Sequence, residues 1–177
     1  MKEFRLGRVA GLTLSAMPSA VVGLLVLWVL LAAAALGPLA LPPLAGILGS
    51  LMAVLLHLLS ELSHNLGHAW AARRGGHPMT GVRFWGVLAT SVYPADEPAL
   101  PASVHIARAW GGPAGSLVLA LLAGVCAWLL WPMGGAIGWV ALFAFLDNLV
   151  IYTLGALLPM GFTDGSTLLR WRTKRSP

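Results

Sequence analysis

Four apolar stretches dominate the chain, at about 12–36, 44–72, 106–131 and 136–158. Each is long enough for a membrane-crossing helix, which needs about 20 apolar residues. Uncharged turns separate the first pair (37–43, GPLALPP) and the last pair (131–135), whereas Arg73, Arg74, Gly75 and Gly76 close the second stretch. Lys2, Arg5 and Arg8 precede the first run, as they would in a signal peptide. That run exceeds a 7–15-residue signal core, so a retained membrane helix is expected.

Residues 77–105 differ in kind. Val82, Phe84, Leu88 and Val92 recur at even spacing, with Thr80 and Thr90 in the same register, which predicts a strand or hairpin. Pro94, Pro98 and Pro101 then interrupt regular structure, and Gly111-Gly112-Pro113 reads as a break near the start of the third helix. The fold class expected is all-α integral membrane, with about four transmembrane helices and a short membrane-associated β-hairpin between helices two and three. Residues 1–177 read as a single membrane domain.

Composition agrees. The 177 residues are 58% hydrophobic and 10% charged, whereas soluble domains carry about 25% charged residues. The net charge of +5 is topological rather than a nucleic-acid footprint. With a cytoplasmic amino terminus and four alternating helices, one side holds Lys2, Arg5, Arg8, Arg73, Arg74, Arg83, Arg108, Arg170, Arg172, Lys174 and Arg175. Those are all 11 basic residues, and both outer turns have none. Both termini are therefore expected in the cytoplasm, with the bilayer as the main partner. Trp131 and Trp139 suit an interface. Lone Cys126 offers no disulfide and reads as a small buried apolar residue.

The second helix carries a polar stripe. At about 100° per residue, His57, Glu61, His64, Asn65 and His68 fall at roughly +20°, +60°, 0°, +100° and +40° relative to His64. Ionisable groups are costly in lipid and face a protein interior or a wet cavity. His64 and His68, at i and i+4, can both reach one metal ion, as in the H-E-x-x-H zinc motif. Here the glutamate position is Asn65. Asp164, just beyond the fourth helix in a Thr-Asp-Gly turn, is the candidate third ligand, since the topology puts it on the histidines' side of the membrane. An anionic oxygen beside two imidazoles suits zinc. His57 reads as a further member of this network. Glu61 lies one helical turn, roughly 6 Å, from Asn65. It reads as a supporting residue accepting a hydrogen bond from His57 or His64, or as a substitute base. His77 and His105 are read as loop residues, and Asp96, Glu97 and Asp147 carry no motif.

Together these pieces resemble the site-2 protease family of intramembrane zinc metallopeptidases. The resemblance rests on His64-Asn65-Leu66-Gly67-His68-Ala69 with Ala71-Ala72-Arg73-Arg74, on Gly112-Pro113, and on Asn148 followed by Leu157-Leu158-Pro159 and Asp164-Gly165. It covers roughly residues 44–170. It implies a three-helix core, zinc held by His64, His68 and Asp164, and membrane-helix substrates unwound for cleavage; Asn148, from the motif, and His57, from the stripe, are the candidate supporting residues. The resemblance also implies a hairpin over 80–92 whose edge pairs with an extended substrate.

Two positions depart from the family pattern. The catalytic glutamate falls at Asn65, and an amide has no useful basicity near neutral pH. The family's asparagine three residues before the proline falls at Ala156. A general base contributes about 10²–10⁴ in rate and an oxyanion donor about 10²–10³. The reading is a site-2-protease-like homologue with impaired peptidase activity, in a bacterial or archaeal inner membrane. The alternatives are an inactive pseudoprotease that binds and regulates membrane proteins, or a metal or proton carrier built on the stripe.

Overall fold

The computed structural model describes residues 3–173. Its order is β1 (Phe4–Val9), β2 (Leu12–Ala16), α1 (Pro18–Leu36), α2 (Pro43–Arg74), β3 (Gly81–Trp85), β4 (Leu88–Val92), α3 (Ala102–Leu130), α4 (Gly135–Leu146) and α5 (Asp164–Thr173). Four helical spans, Pro18–Leu36, Pro43–Arg74, Ala102–Met133 and Gly135–Leu157, are long and apolar enough to cross a membrane. Packing is inverted relative to a soluble protein. On α2 the buried row includes Ser50, His57, Glu61, His64, Asn65 and His68, while Leu48, Leu51, Leu55 and Leu59 are exposed. Helix α2 is the hub, packed against α1, α3 and α4.

The first apolar run is not one helix. Leu12–Ala16 is a strand, and the helix starts only at Pro18, whose fixed φ suits a first helical turn. The Leu-Thr-Leu-Ser alternation has the strand period of two, which the apolar run behind it masked. The expected hairpin is accordingly half of a four-stranded sheet, ordered β1-β2-β3-β4. β1–β2 and β3–β4 are antiparallel, and β2–β3 is parallel, with Thr13 opposite Gly81. That close pairing requires glycine, since a Cβ at Gly81 would lie 2.5 Å from the Thr13 carbonyl oxygen. Leu12, Ala16, Ala20, Ala72, Met79, Val82 and Phe84 form the apolar core joining the sheet to α1 and the end of α2.

Several further expectations need correction. Helix α3 begins at Ala102 and passes through Gly111-Gly112-Pro113 unbroken. The two glycines serve helix contact instead. A Cβ on Gly111 would lie 2.5 Å from the Gly67 carbonyl oxygen, so α2 and α3 cross backbone to backbone. His105 is helical rather than in a loop, and its ring stacks on Trp171 of α5 at 4.0 Å. Cys126 is exposed rather than buried, and lines an apolar groove between α3, α2 and α4. The tail forms α5, with Asp164 in its first turn and Arg170 and Arg172 in its last, the charge order that a helix dipole favours. Lys2, Lys174 and Arg175 lie outside the described residues.

Beyond α4 the helix widens into a π-helical stretch, Asp147–Leu154, followed by a tight turn, Gly155–Leu157. The Thr153 hydroxyl donates to the Asn148 carbonyl at 2.8 Å. Widened turns rotate side chains off the α-helical stripe. Here Asp147, Asn148 and Tyr152 are all buried, facing α2.

Candidate metal centre

His64 and His68 face inward from successive turns of α2, and the chain returns after α4 to bring Asp164 against them. The two Nε2 atoms are 3.1 Å apart. One Asp164 carboxylate oxygen lies 3.2 Å from His64 Nε2 and the other 3.4 Å from His68 Nε2. One ligand atom from each residue thus falls within 4.8 Å of the others, a group able to hold a metal ion.

The donor chemistry fits zinc. His68 Nδ1 lies 2.8 Å from the Arg108 carbonyl and 3.2 Å from the Gly112 amide, and a hydrogen on Nδ1 directed at the closer carbonyl leaves the Nε2 lone pair free. His64 Nδ1 is 2.9 Å from the Ser116 hydroxyl. Fixing the outer nitrogen of each ligating ring is how supporting residues orient metal-binding histidines. Lone-pair nitrogens and a carboxylate so gathered repel one another unless a positive charge sits among them. Space is kept for it, because a Cβ on Gly112 would collide with the Nε2 atoms of both His64 and His68. Gly165 is constrained likewise by the Leu157 carbonyl, which draws the Asp164 turn under the end of the π stretch.

The remaining stripe residues turn toward other partners. His57 donates through Nε2 to the Val87 carbonyl at 2.8 Å and pairs through Nδ1 with the Asp147 carboxylate at 3.2 Å. Asp147 is therefore part of the network, although sequence reading attached no motif to it. Glu61 does not accept from His57 or His64. Its Oε1 receives the Ala89 amide at 2.6 Å and the Asn65 side-chain amide at 3.3 Å. Asn65 in turn accepts the Ser91 hydroxyl at 3.0 Å. Asn148 donates to Ser60 Oγ and to the Ala144 carbonyl, both at 2.8 Å, one layer away from the His-His-Asp group. Ala156 lines the cleft beside that group.

That cleft has a volume of about 610 Å³ and is bounded by Glu61, Asn65, the histidine pair, β4 and Asp164. Its rim is held by Arg108, which sequence reading took only as a topology marker. Arg108 is buried, donates to both Glu97 carboxylate oxygens at 2.9 and 2.5 Å and to the His77 carbonyl at 2.6 Å, and lies over the Tyr93 ring. Its hydrogen bonds hold the Glu97 carboxyl below the usual carboxylate range, and burial pushes the Tyr93 phenol up to about 12. The spacing of Arg108 and Glu97 gave no signal, because the partners meet only after the 93–101 loop folds back onto α3.

The fold has a solved counterpart. It is similar to the Site-2 Protease from Methanocaldococcus jannaschii, with a TM-score of 0.66, 14% identity, and coverage of 96% of this chain and 70% of that one. No protein-family model matches the sequence, and no curated protein does.

Proposed function

We propose that this chain is a site-2-protease-like membrane protein that binds zinc through His64, His68 and Asp164 and engages transmembrane-helix segments of other proteins, with impaired peptide hydrolysis. The convergence of those three side chains carries the reading. When bound, zinc supplies Lewis acidity to a carbonyl or water in the cleft. The chain's own residues orient the two imidazoles through Ser116 and the Arg108 carbonyl. At the position of the family's base, Asn65 can orient a water but cannot take its proton. The Asn65 side chain is moreover engaged on both sides, by Glu61 and Ser91.

One observation favours a second reading, in which Glu61 is the working base. Its side chain lines the same cleft. A cleavage assay separates the two, using purified protein in lipid nanodiscs and a membrane peptide whose helix is weakened by central glycines. The wild type is expected to be silent. Cleavage by wild type that disappears in Glu61→Gln overturns the impaired reading and makes Glu61 the base.

The orientation follows from the basic residues. Both termini lie in the cytoplasm of a bacterial or archaeal cell, and the turns at 37–43 and 131–135 lie outside. In a Cys126→Ser background, a cysteine at Ala40 or Gly134 is expected to react with an impermeant maleimide added to whole cells. Labelling that requires membrane rupture contradicts this topology.

A further inference from the structure

Three stripe residues of α2 share one feature that metal binding does not use: each holds the same strand. His57, Glu61 and Asn65 are spaced i, i+4 and i+8, about 6 Å apart along the helix axis. Their partners are Val87, the turn residue just before β4, and Ala89 and Ser91 within it, alternate positions about 6.6 Å apart in extended chain. The two spacings nearly match, so a helix row can pair with every second residue of a strand running the same way. The three rungs are the Val87 carbonyl on His57 at 2.8 Å, the Ala89 amide on Glu61 at 2.6 Å, and the Ser91 hydroxyl on Asn65 at 3.0 Å.

The paired groups lie on the outer edge of the sheet. β4 bonds to β3 on one side, with Phe84 opposite Ala89, and no strand pairs with its other side among the described residues. The Ala89 amide points away from β3, toward Glu61. By the alternation of an antiparallel ladder, the outward main-chain groups of this edge belong to Val87, Ala89 and Ser91. An added strand would need those groups. The Val87 carbonyl and the Ala89 amide already have α2 partners, and the third rung pins Ser91.

We propose that the His57–Glu61–Asn65 row is a strand lock, which holds the edge of β4 closed and makes an extended peptide compete with α2 for it. On this view Asn65 is a positioning residue that works through Ser91, rather than only the remnant of a base. The proposal rests on the reading that the cleft handles a polypeptide. Releasing a rung raises the fraction of protein with an open edge and tightens peptide binding by the same factor, as long as the closed form dominates.

The test uses full-length zinc-loaded protein in nanodiscs of phosphatidylethanolamine and phosphatidylglycerol. The probe is a fluorescent leucine-rich membrane peptide with a central Gly-Pro-Ser break. Ser91→Ala is expected to speed amide exchange over 86–92 and to tighten peptide binding about fivefold, the factor supplied by one neutral hydrogen bond of about 1 kcal/mol. Asn65→Ala, cutting the same rung from the helix, is expected to tighten binding as well, and adding Ser91→Ala to it gives no further gain. Ser91→Thr keeps the hydroxyl and binds like wild type. Equal peptide affinity in wild type, Ser91→Ala and Asn65→Ala overturns the lock alone. Binding to none of the three, with zinc retained, overturns the polypeptide reading and the lock with it.

Discussion

Exchanging the two groups, Asn65→Glu with Glu61→Gln, is expected to raise cleavage of a helix-weakened membrane peptide by about 10²-fold over wild type. The size follows from the usual contribution of a general base, about 10²–10⁴. The double change is chosen over Asn65→Glu alone because positions 61 and 65 are hydrogen-bonded neighbours one turn apart. Two carboxylates there would repel one another. In the exchanged pair, the side-chain amide at position 61 can donate to the carboxylate at position 65, while its oxygen still accepts the Ala89 amide. The carboxylate at position 65 can also accept the Ser91 hydroxyl, so the strand contacts survive the exchange. Ala156→Asn on this background is expected to add to the rate if that position meets the developing oxyanion. A silent triple variant with zinc bound would show that Asn65 is not what limits hydrolysis.

The meeting of His64, His68 and Asp164 was legible in the sequence. The i, i+4 spacing of His64 and His68 fixes their common face, and the helix count returns Asp164 to the same end of the bundle. Burial of all five stripe residues follows from the cost of exposing them to lipid. What stayed hidden depended on long-range pairing. Leu12–Ala16 carries a short strand-like alternation that the apolar run behind it masks, and its place between β1 and β3 makes it a strand. Asp147 gave no signal because its partner lies 90 residues earlier, and a π-helical stretch carries it toward α2. The glycines were misread for the opposite reason. Gly111 and Gly112 suggested a break, but inside a helix they allow contact with α2 and leave room at the histidine nitrogens.

The strand contacts were the least legible part. Sequence reading left the edge of the 80–92 hairpin open for a substrate and gave Glu61 and Asn65 roles in proton transfer or support. Nothing in either segment alone shows that a helix repeat of four matches a strand repeat of two. The match emerges once parallel pairing of β2 with β3 lays β4 along α2. The same contacts give the buried glutamate and asparagine one strand partner each.

Zinc content tests the central claim most directly. Purified wild type is expected to hold one zinc per chain, and His68→Ala to lose nearly all of it, because two remaining ligands do not make a stable site. Gly112→Ala supplies the second arm. It leaves every ligand in place, but its Cβ would enter the space at both Nε2 atoms, and rings pinned through Nδ1 to Ser116 and the Arg108 carbonyl cannot swing aside freely. A loss of affinity of about 10- to 100-fold or more is expected, the range seen when groups orienting metal ligands are disturbed. Helical circular dichroism should be unchanged in both variants, which separates metal loss from unfolding. Stoichiometric zinc in wild type, with depletion in His68→Ala and Gly112→Ala, is the predicted result. Equal zinc in wild type and His68→Ala, or none in wild type after purification without chelator, would contradict the assignment of His64, His68 and Asp164 as a metal centre.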